Sequence, residues 1–212
     1  MKPISAEGFE QRFRDNIDPW NYTTSRFEAF KRDVLLRACG CRTYGRGLEL
    51  ACAIGETTRH LAPRCLRLLA TDSSRTALAE ATRRNAASDG VTFREGLLPR
   101  DTPRGPFDLI VVSEIAYYLR KRALDELLIR LFEAAAPGGR IVFLHHLRRF
   151  NDAAQLPALA QARIVSTFKR WTQYSFHERH AQFDAVAFRK HRLKRRRDTL
   201  STAPGFTASR WV

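Results

Sequence analysis

Apolar positions along this chain alternate between two spacings. Short apolar runs at about 46–52, 66–71, 91–94, 107–113 and 140–145 read as strands. Between them, segments repeat apolar residues every three or four positions and read as helices. Arg26 to Cys39 puts Phe27, Phe30, Val34 and Leu35 on one face. A helix at about 74–87 carries Leu78, Ala81 and Asn85 on one side. A helix at about 121–135 turns Leu124, Leu127, Leu128, Leu131 and Phe132 inward, and Pro137-Gly138-Gly139 is read as its stop. Further helices are predicted at about 56–62 and 152–168. Phe107-Asp108-Leu109-Ile110-Val111-Val112-Ser113 is almost continuously apolar, as expected of a strand buried on both faces in a parallel sheet. Two late runs, about 171–177 and 182–189, read as a closing hairpin. Residues 1–25 read as an irregular segment centred on Asp18-Pro19-Trp20-Asn21-Tyr22. Residues 97–106 hold three prolines and read as loop. This alternation predicts an α/β, Rossmann-like fold: a mostly parallel seven-stranded sheet with an antiparallel last strand and helices on both faces. It predicts one domain over 1–190, with 1–40 as an N-terminal cap and helix.

The densest chemistry lies in residues 46–72. A strand carrying Glu49 runs into a turn of small residues (Ala51, Ala53, Gly55). A helix opens at Glu56, and a second strand ends on Asp72. Small residues let a ligand touch backbone, and an acid at the tip of the second strand can hold a ribose diol. A dinucleotide site wants G-x-G-x-x-G with pyrophosphate on the helix N-terminus. Here the pattern is Glu-x-Ala-x-Ala-x-Gly, and the helix opens with an anion that repels phosphate. A cationic, phosphate-free nucleoside such as S-adenosylmethionine (SAM) suits it better. The alternative is an ordinary βα turn with no ligand.

Composition adds less. The hydrophobic fraction of 44% is that of a globular protein. No apolar run approaches the roughly 20 residues that span a bilayer, and Met1 to Phe13 is polar with acids, unlike a signal peptide. A cytoplasmic protein with reduced thiols is expected. The four cysteines (Cys39, Cys41, Cys52, Cys65) form no C-x-x-C pair, and no metal site is read from them. The formal charge is +15, and residues 189–212 hold eight Lys or Arg against Asp198 alone. The 191–212 tail is read as a solvated, disordered terminus, with nucleic acid or an acidic surface as the alternative partner.

Four pieces carry a family resemblance: Asp18-Pro-Trp-Asn-Tyr22 with the aromatic–basic helix after it, Leu48 to Gly55, Phe107 to Leu119, and Ala136-Pro-Gly-Gly-Arg-Ile-Val-Phe143. On these the chain resembles class I SAM-dependent methyltransferases, and among them the nodulation protein S-like (NodS-like) group, over roughly residues 15–147. The resemblance implies SAM as cofactor. Glu49, Ala51, Ala53 and Gly55 would meet its methionine and ribose portions, and Asp72 its ribose hydroxyls. Ser73 would border the adenine, with Gly96 and Leu97 at the adenine edge through backbone. Ser113 would sit near the methyl, and Trp20 and Tyr22 would cover the cofactor. Glu114, Tyr117 and Tyr118 are the catalytic candidates. The chain departs from the family at two places. Ala51 replaces the first glycine of the loop, and Leu97 stands where an acid often holds the adenine amine.

The family's best-known chemistry is N-methylation of a free amine on a chitin-type oligosaccharide, so a small-molecule or saccharide acceptor is implied. Trp171, Tyr174 and Phe176 offer rings for stacking on an acceptor or for strand packing. His145 and His146 are adjacent on a strand, so at most one faces the site, and His177 and His180 read as surface residues. A nucleic-acid methyltransferase is the runner-up. It lacks the Asn/Asp-Pro-Pro-aromatic motif, since strand 4 ends in Ser113-Glu114-Ile115-Ala116, and no cysteine follows a proline. A basic binding module without activity is the third reading.

Overall fold

In the computed structural model, which describes residues 3–192, the chain forms a seven-stranded sheet. Its elements are α1 (Ala6–Asp15), α2 (Arg26–Cys39), β1 (Tyr44–Leu50), α3 (Glu56–Leu61), β2 (Cys65–Asp72), α4 (Arg75–Arg84) and β3 (Val91–Glu95). They continue as β4 (Phe107–Ser113), α5 (Lys121–Ala134), β5 (Ala135–His146), α6 (Pro157–Trp171), β6 (Gln173–Arg179) and β7 (Phe183–Arg189). The strand order is β3-β2-β1-β4-β5-β7-β6. Strands β1 to β5 pair in parallel, and β7 runs antiparallel to both its neighbours.

Period-two alternation splits the core across the sheet. Leu48, Leu50, Ile110, Val112, Ile141 and Phe143 pack on one face with Leu124, Leu127, Leu128, Leu131, Ile164 and Phe168 of α5 and α6. Leu109, Val111, Val142 and Leu144 pack on the other with Val34, Leu35 and Ala38 of α2. Covering both faces is what the nearly continuous apolar run of β4 required. Phe30, expected on the buried face of α2, is instead 42% exposed and lays its ring edge-on against Phe183.

Three expectations change. The irregular segment over 1–25 contains α1: Ser5 caps it by accepting from Gly8 N (3.2 Å), and Phe9 and Phe13, four apart, share a face. The last helix starts at Pro157 rather than near 152, because proline suits the first helical position, where no amide is needed. Pro137-Gly138-Gly139 does not end α5, which stops at Ala134. It lies in a bulge of β5, where Leu109 pairs with Arg140 although Phe107 pairs with Ala135. Gly139 is required there, since a Cβ would stand 2.9 Å from Phe107 O and 2.8 Å from Ala136 O.

The strand order reverses between β1 and β4. In such a sheet that crevice, at the carboxyl ends of the strands, is where ligands bind.

Candidate active site

A cavity of about 580 Å³ opens at that reversal. Its floor is the turn after β1, where Ala51 (φ 55°), Ala53 (φ 49°) and Gly55 (φ 74°) are left-handed. Each alanine bears a cost of about 1–2 kcal/mol that glycine would not. Asp72 at the tip of β2 holds this turn. Its Oδ2 accepts from Ala53 N and its Oδ1 from Ser74 N, both at 2.9 Å. Burial raises the Asp72 carboxyl above its ordinary value, with the amides opposing.

Asp72, Ser73, Ala51, Ala53, Gly96, Leu97, Ser113, Trp20 and Tyr22 all line the cavity, as do Glu114, Tyr117 and Tyr118. Two expected cofactor residues do not. Gly55 turns away from it: a Cβ there would stand 2.9 Å from Ala81 Cβ and 2.6 Å from Asn85 Nδ2, so its glycine lets the turn press on α4. Glu49 instead lines a smaller annex of about 50 Å³ with Arg32 and Glu56. It is buried, accepts from Thr58 Oγ1 at 2.6 Å, and is pushed up to about 8 by burial. The backbone donors expected at an adenine edge are also taken. Gly96 N donates to Asp72 O (2.9 Å), and Leu97 N to Asp101 Oδ2 (3.0 Å). Nor does Glu56 present a bare anion. It lies within 3.6–3.9 Å of Arg32, Arg59, His60 and Arg84.

The far wall is built around Glu114, itself left-handed at φ 55°. Lys31 Nζ of α2 lies 2.5 Å from its Oε1 and 2.9 Å from Glu28 Oε1. Tyr117 Oη donates to Glu114 Oε2 (2.5 Å), and His146 N donates to the same oxygen (2.9 Å). Burial acts to raise the Glu114 carboxyl, but Lys31 and Tyr117 outweigh it and hold the group below its ordinary value. Burial raises Tyr117 and Tyr118, with Glu114 adding to it, so both keep their protons. Lys31, Glu28, Arg32 and Arg12 had no motif in the sequence to single them out. Their spacing on helices is that of any solvated face, and only folding turns them inward.

His145 and His146 separate as strand alternation demands. His145 is fully buried. Gln161 Nε2 donates to Asp184 O (3.3 Å) and Oδ2 (3.2 Å), so its Oε1 faces His145 Nδ1 at 2.9 Å. Nδ1 therefore carries the proton, and Nε2 accepts from Ala116 N (3.3 Å). This chain braces the turn that carries Glu114 and Tyr117. His146 lines the cavity. Trp171 and Tyr174 do not line the cavity; they pack on Phe168, Phe132 and Phe188. Phe176 packs against the core on the α2 side of the sheet.

A roof comes from the N-terminal segment. Asp18 accepts from Tyr22 N (2.7 Å), Thr23 N (3.0 Å) and Thr23 Oγ1 (2.7 Å), a turn that presents Trp20 and Tyr22. Phe9 meets Tyr118 edge-on at 4.8 Å, and Phe13 meets Trp20 at 5.6 Å. The roof is fastened on both sides. Glu10 accepts from Ser74 Oγ and Thr76 Oγ1 (both 2.7 Å), which holds its carboxyl down to about 2, and Arg12 pairs with Asp152 at 2.8 Å.

The ionisable lining has an unusual balance. Against Arg12 and Lys31 stand Glu28, Asp72, Glu114 and Asp152, a surplus of carboxylate inside a chain of formal charge +15. Among the described residues, no group of three or more His, Cys, Asp or Glu could hold a metal ion, and no helix is long and apolar enough to cross a membrane. Residues 193–212, most of the basic tail, lie outside the described residues.

The model of the family described as nodulation protein S (NodS) matches residues 6–147. Nodulation protein S of Sinorhizobium fredii is 32% identical over 128 residues, covering 59% of this chain and 59% of that protein. The match thus spans less than two thirds of the relative's length. The crystal structure of the N-methyltransferase NodS from Bradyrhizobium japonicum WM9, in complex with S-adenosyl-L-homocysteine, superposes with a TM-score of 0.73 at 24% identity, covering 85% of this chain and 97% of that one. A putative methyltransferase from Pseudomonas syringae gives 0.68 at 28% identity, covering 78% of this chain and 100% of that one.

Proposed function

The chain belongs to the nodulation protein S family, and from that premise we propose that it is a SAM-dependent N-methyltransferase acting on an amine of a small molecule or amino-sugar oligosaccharide. One observation carries the reading: a cavity with a nucleoside-type floor at Asp72 and surplus carboxylate at its far wall, inside a strongly basic protein. A polyanion-binding site would have the opposite balance.

The donor set fits SAM. Asp72 spends one lone pair per oxygen on Ser74 N and Ala53 N, leaving others for a ribose diol. In the annex, Arg32 suits the carboxylate of the amino-acid end and Glu49 its ammonium. A cation beside Glu49 favours the ionised form that burial opposes. Trp20 and Tyr22 exclude water and offer ring faces to a cation. SAM, when bound, supplies a methyl group made transferable by its sulfonium charge. Glu28 and Glu114 share one Lys31, so the far wall carries more carboxylate than cation, which suits an acceptor ammonium. Direct displacement on carbon then needs mainly positioning and desolvation.

Calorimetry with S-adenosylhomocysteine tests the cofactor reading, and absence of saturable heat refutes it. A labelled-methyl screen over amino sugars, small amines and RNA tests the acceptor. Label in RNA, lost on deleting residues 191–212, would favour the nucleic-acid reading. Cofactor binding with no labelled product in any class would favour the inactive binding module.

A further inference from the structure

We propose that His146 is the general base of this site, taking the proton from the acceptor ammonium that Glu114 anchors. This rests on the amine-methylation reading above. An ammonium nitrogen has no lone pair with which to attack a methyl group. Its N–H bond must break and its proton go to a group within the cavity.

Elimination among the lining residues is short. Glu114 is kept ionised by Lys31 and Tyr117 and so binds a proton weakly; it suits an anchor. Tyr117 and Tyr118 hold their own protons. Lys31 does too, because Glu114 and Glu28 outweigh its burial. His145 is sealed in the core with both ring nitrogens engaged. His146 remains. It ends β5 and lines the cavity, its ring lies beside that of the lining residue Phe150, and its backbone N donates to Glu114 Oε2 at 2.9 Å, which ties its position to the anchor.

Its surroundings suit the role. Burial, Lys31 from α2 and Arg148 from the following loop oppose the imidazolium, whereas Glu114 at the end of β4 favours it. The sum lies below the ordinary histidine value, so the ring is neutral at pH 7 and ready to accept. Phe150 lies beside it, ring centroids 6.2 Å apart. His146 is only half-buried, so after each turnover the imidazolium can return its proton to solvent. No oxidant or second reactant is needed: the N–H electron pair becomes the amine lone pair, and the proton passes to a ring nitrogen.

The test is His146→Asn, assayed with a glucosamine disaccharide as acceptor. At pH 7 kcat should fall about 10²–10⁴-fold, the contribution of a positioned base, with KM for SAM unchanged. Raising the pH toward the amine's own pKa should restore much of it. A weakly basic aromatic amine, already neutral at pH 7, should show little loss. Two readouts do not depend on turnover. The variant should bind S-adenosylhomocysteine as the wild type does, and the His146 ring should titrate below 6.5 by NMR. Wild-type kcat within threefold, an equal loss with the aromatic amine, or a ring still protonated at pH 8 would overturn the assignment. Failure of the wild type to methylate any amine would sink the function reading instead.

Discussion

Replacing Lys31 with methionine isolates the electrostatics of the far wall. Methionine keeps the unbranched apolar stem and removes the charge. In the wild type, Nζ lies 2.5 Å from Glu114 and 2.9 Å from Glu28, and Lys31 is 7% exposed. At an effective dielectric of about 20, each contact attracts by about 6 kcal/mol before desolvation is subtracted. Removing one partner of a buried pair costs about 3–5 kcal/mol net. That is a large part of the stability of an ordinary domain, about 5–15 kcal/mol. The deficit should depend on pH with a definite sign. Wild-type Glu114 is depressed below its ordinary 4.5. Its contribution is therefore present above 4.5 and is lost only as pH falls through the lower folded value. In Lys31→Met, Glu114 and Glu28 face each other without a cation; Glu28, already raised by burial in the wild type, rises further, and Glu114 rises above its unfolded value. The variant is then least stable at high pH and recovers as pH falls and the carboxyls take up protons. Urea unfolding at pH 5, 6, 7 and 8, followed by circular dichroism, should give a gap that is full at pH 8 and narrows toward pH 5. A gap under about 1 kcal/mol at pH 8, or one constant with pH, would refute the buried-cluster argument.

Three further changes probe the floor and roof. Asp72→Asn turns an amide donor toward Ala53 N or Ser74 N, leaving a buried group unpaired at a cost of about 1–3 kcal/mol; affinity for S-adenosylhomocysteine should drop at least about tenfold by calorimetry. Ala51→Gly should stabilise the protein, since relief of about 1–2 kcal/mol at φ 55° exceeds the roughly 0.4–1 kcal/mol of added unfolded-chain entropy; a lower melting temperature would contradict this. Glu10→Gln loosens the fastening of α1 to Ser74 and Thr76, so protease should cut within residues 1–25 faster and S-adenosylhomocysteine should leave sooner. In the wild type that fastening is present above pH 4.5 and weakens as pH falls toward 2.

Much of this architecture could be read along the chain. Hydrophobic period alone located the seven strands and the helices between them, because burial on one or two faces is written directly into residue type. The small-residue turn and Asp72 were also local, since backbone approach and a strand-tip acid depend on adjacent positions. So was the division of His145 from His146, which follows from strand alternation. Even α1 had a local signal, in Ser5 and the Phe9–Phe13 spacing. The far wall had none. Glu28, Lys31 and Glu114 are remote in sequence, and only packing α2 against the end of β4 makes them one cluster. Gly55 kept its conformational role but faced α4, because a required glycine does not reveal which side of a turn is open. Composition gave the sign of the whole molecule, and folding reversed that sign inside the cavity. Net charge sums over residues, whereas the charge at a site depends on which of them the tertiary structure turns inward.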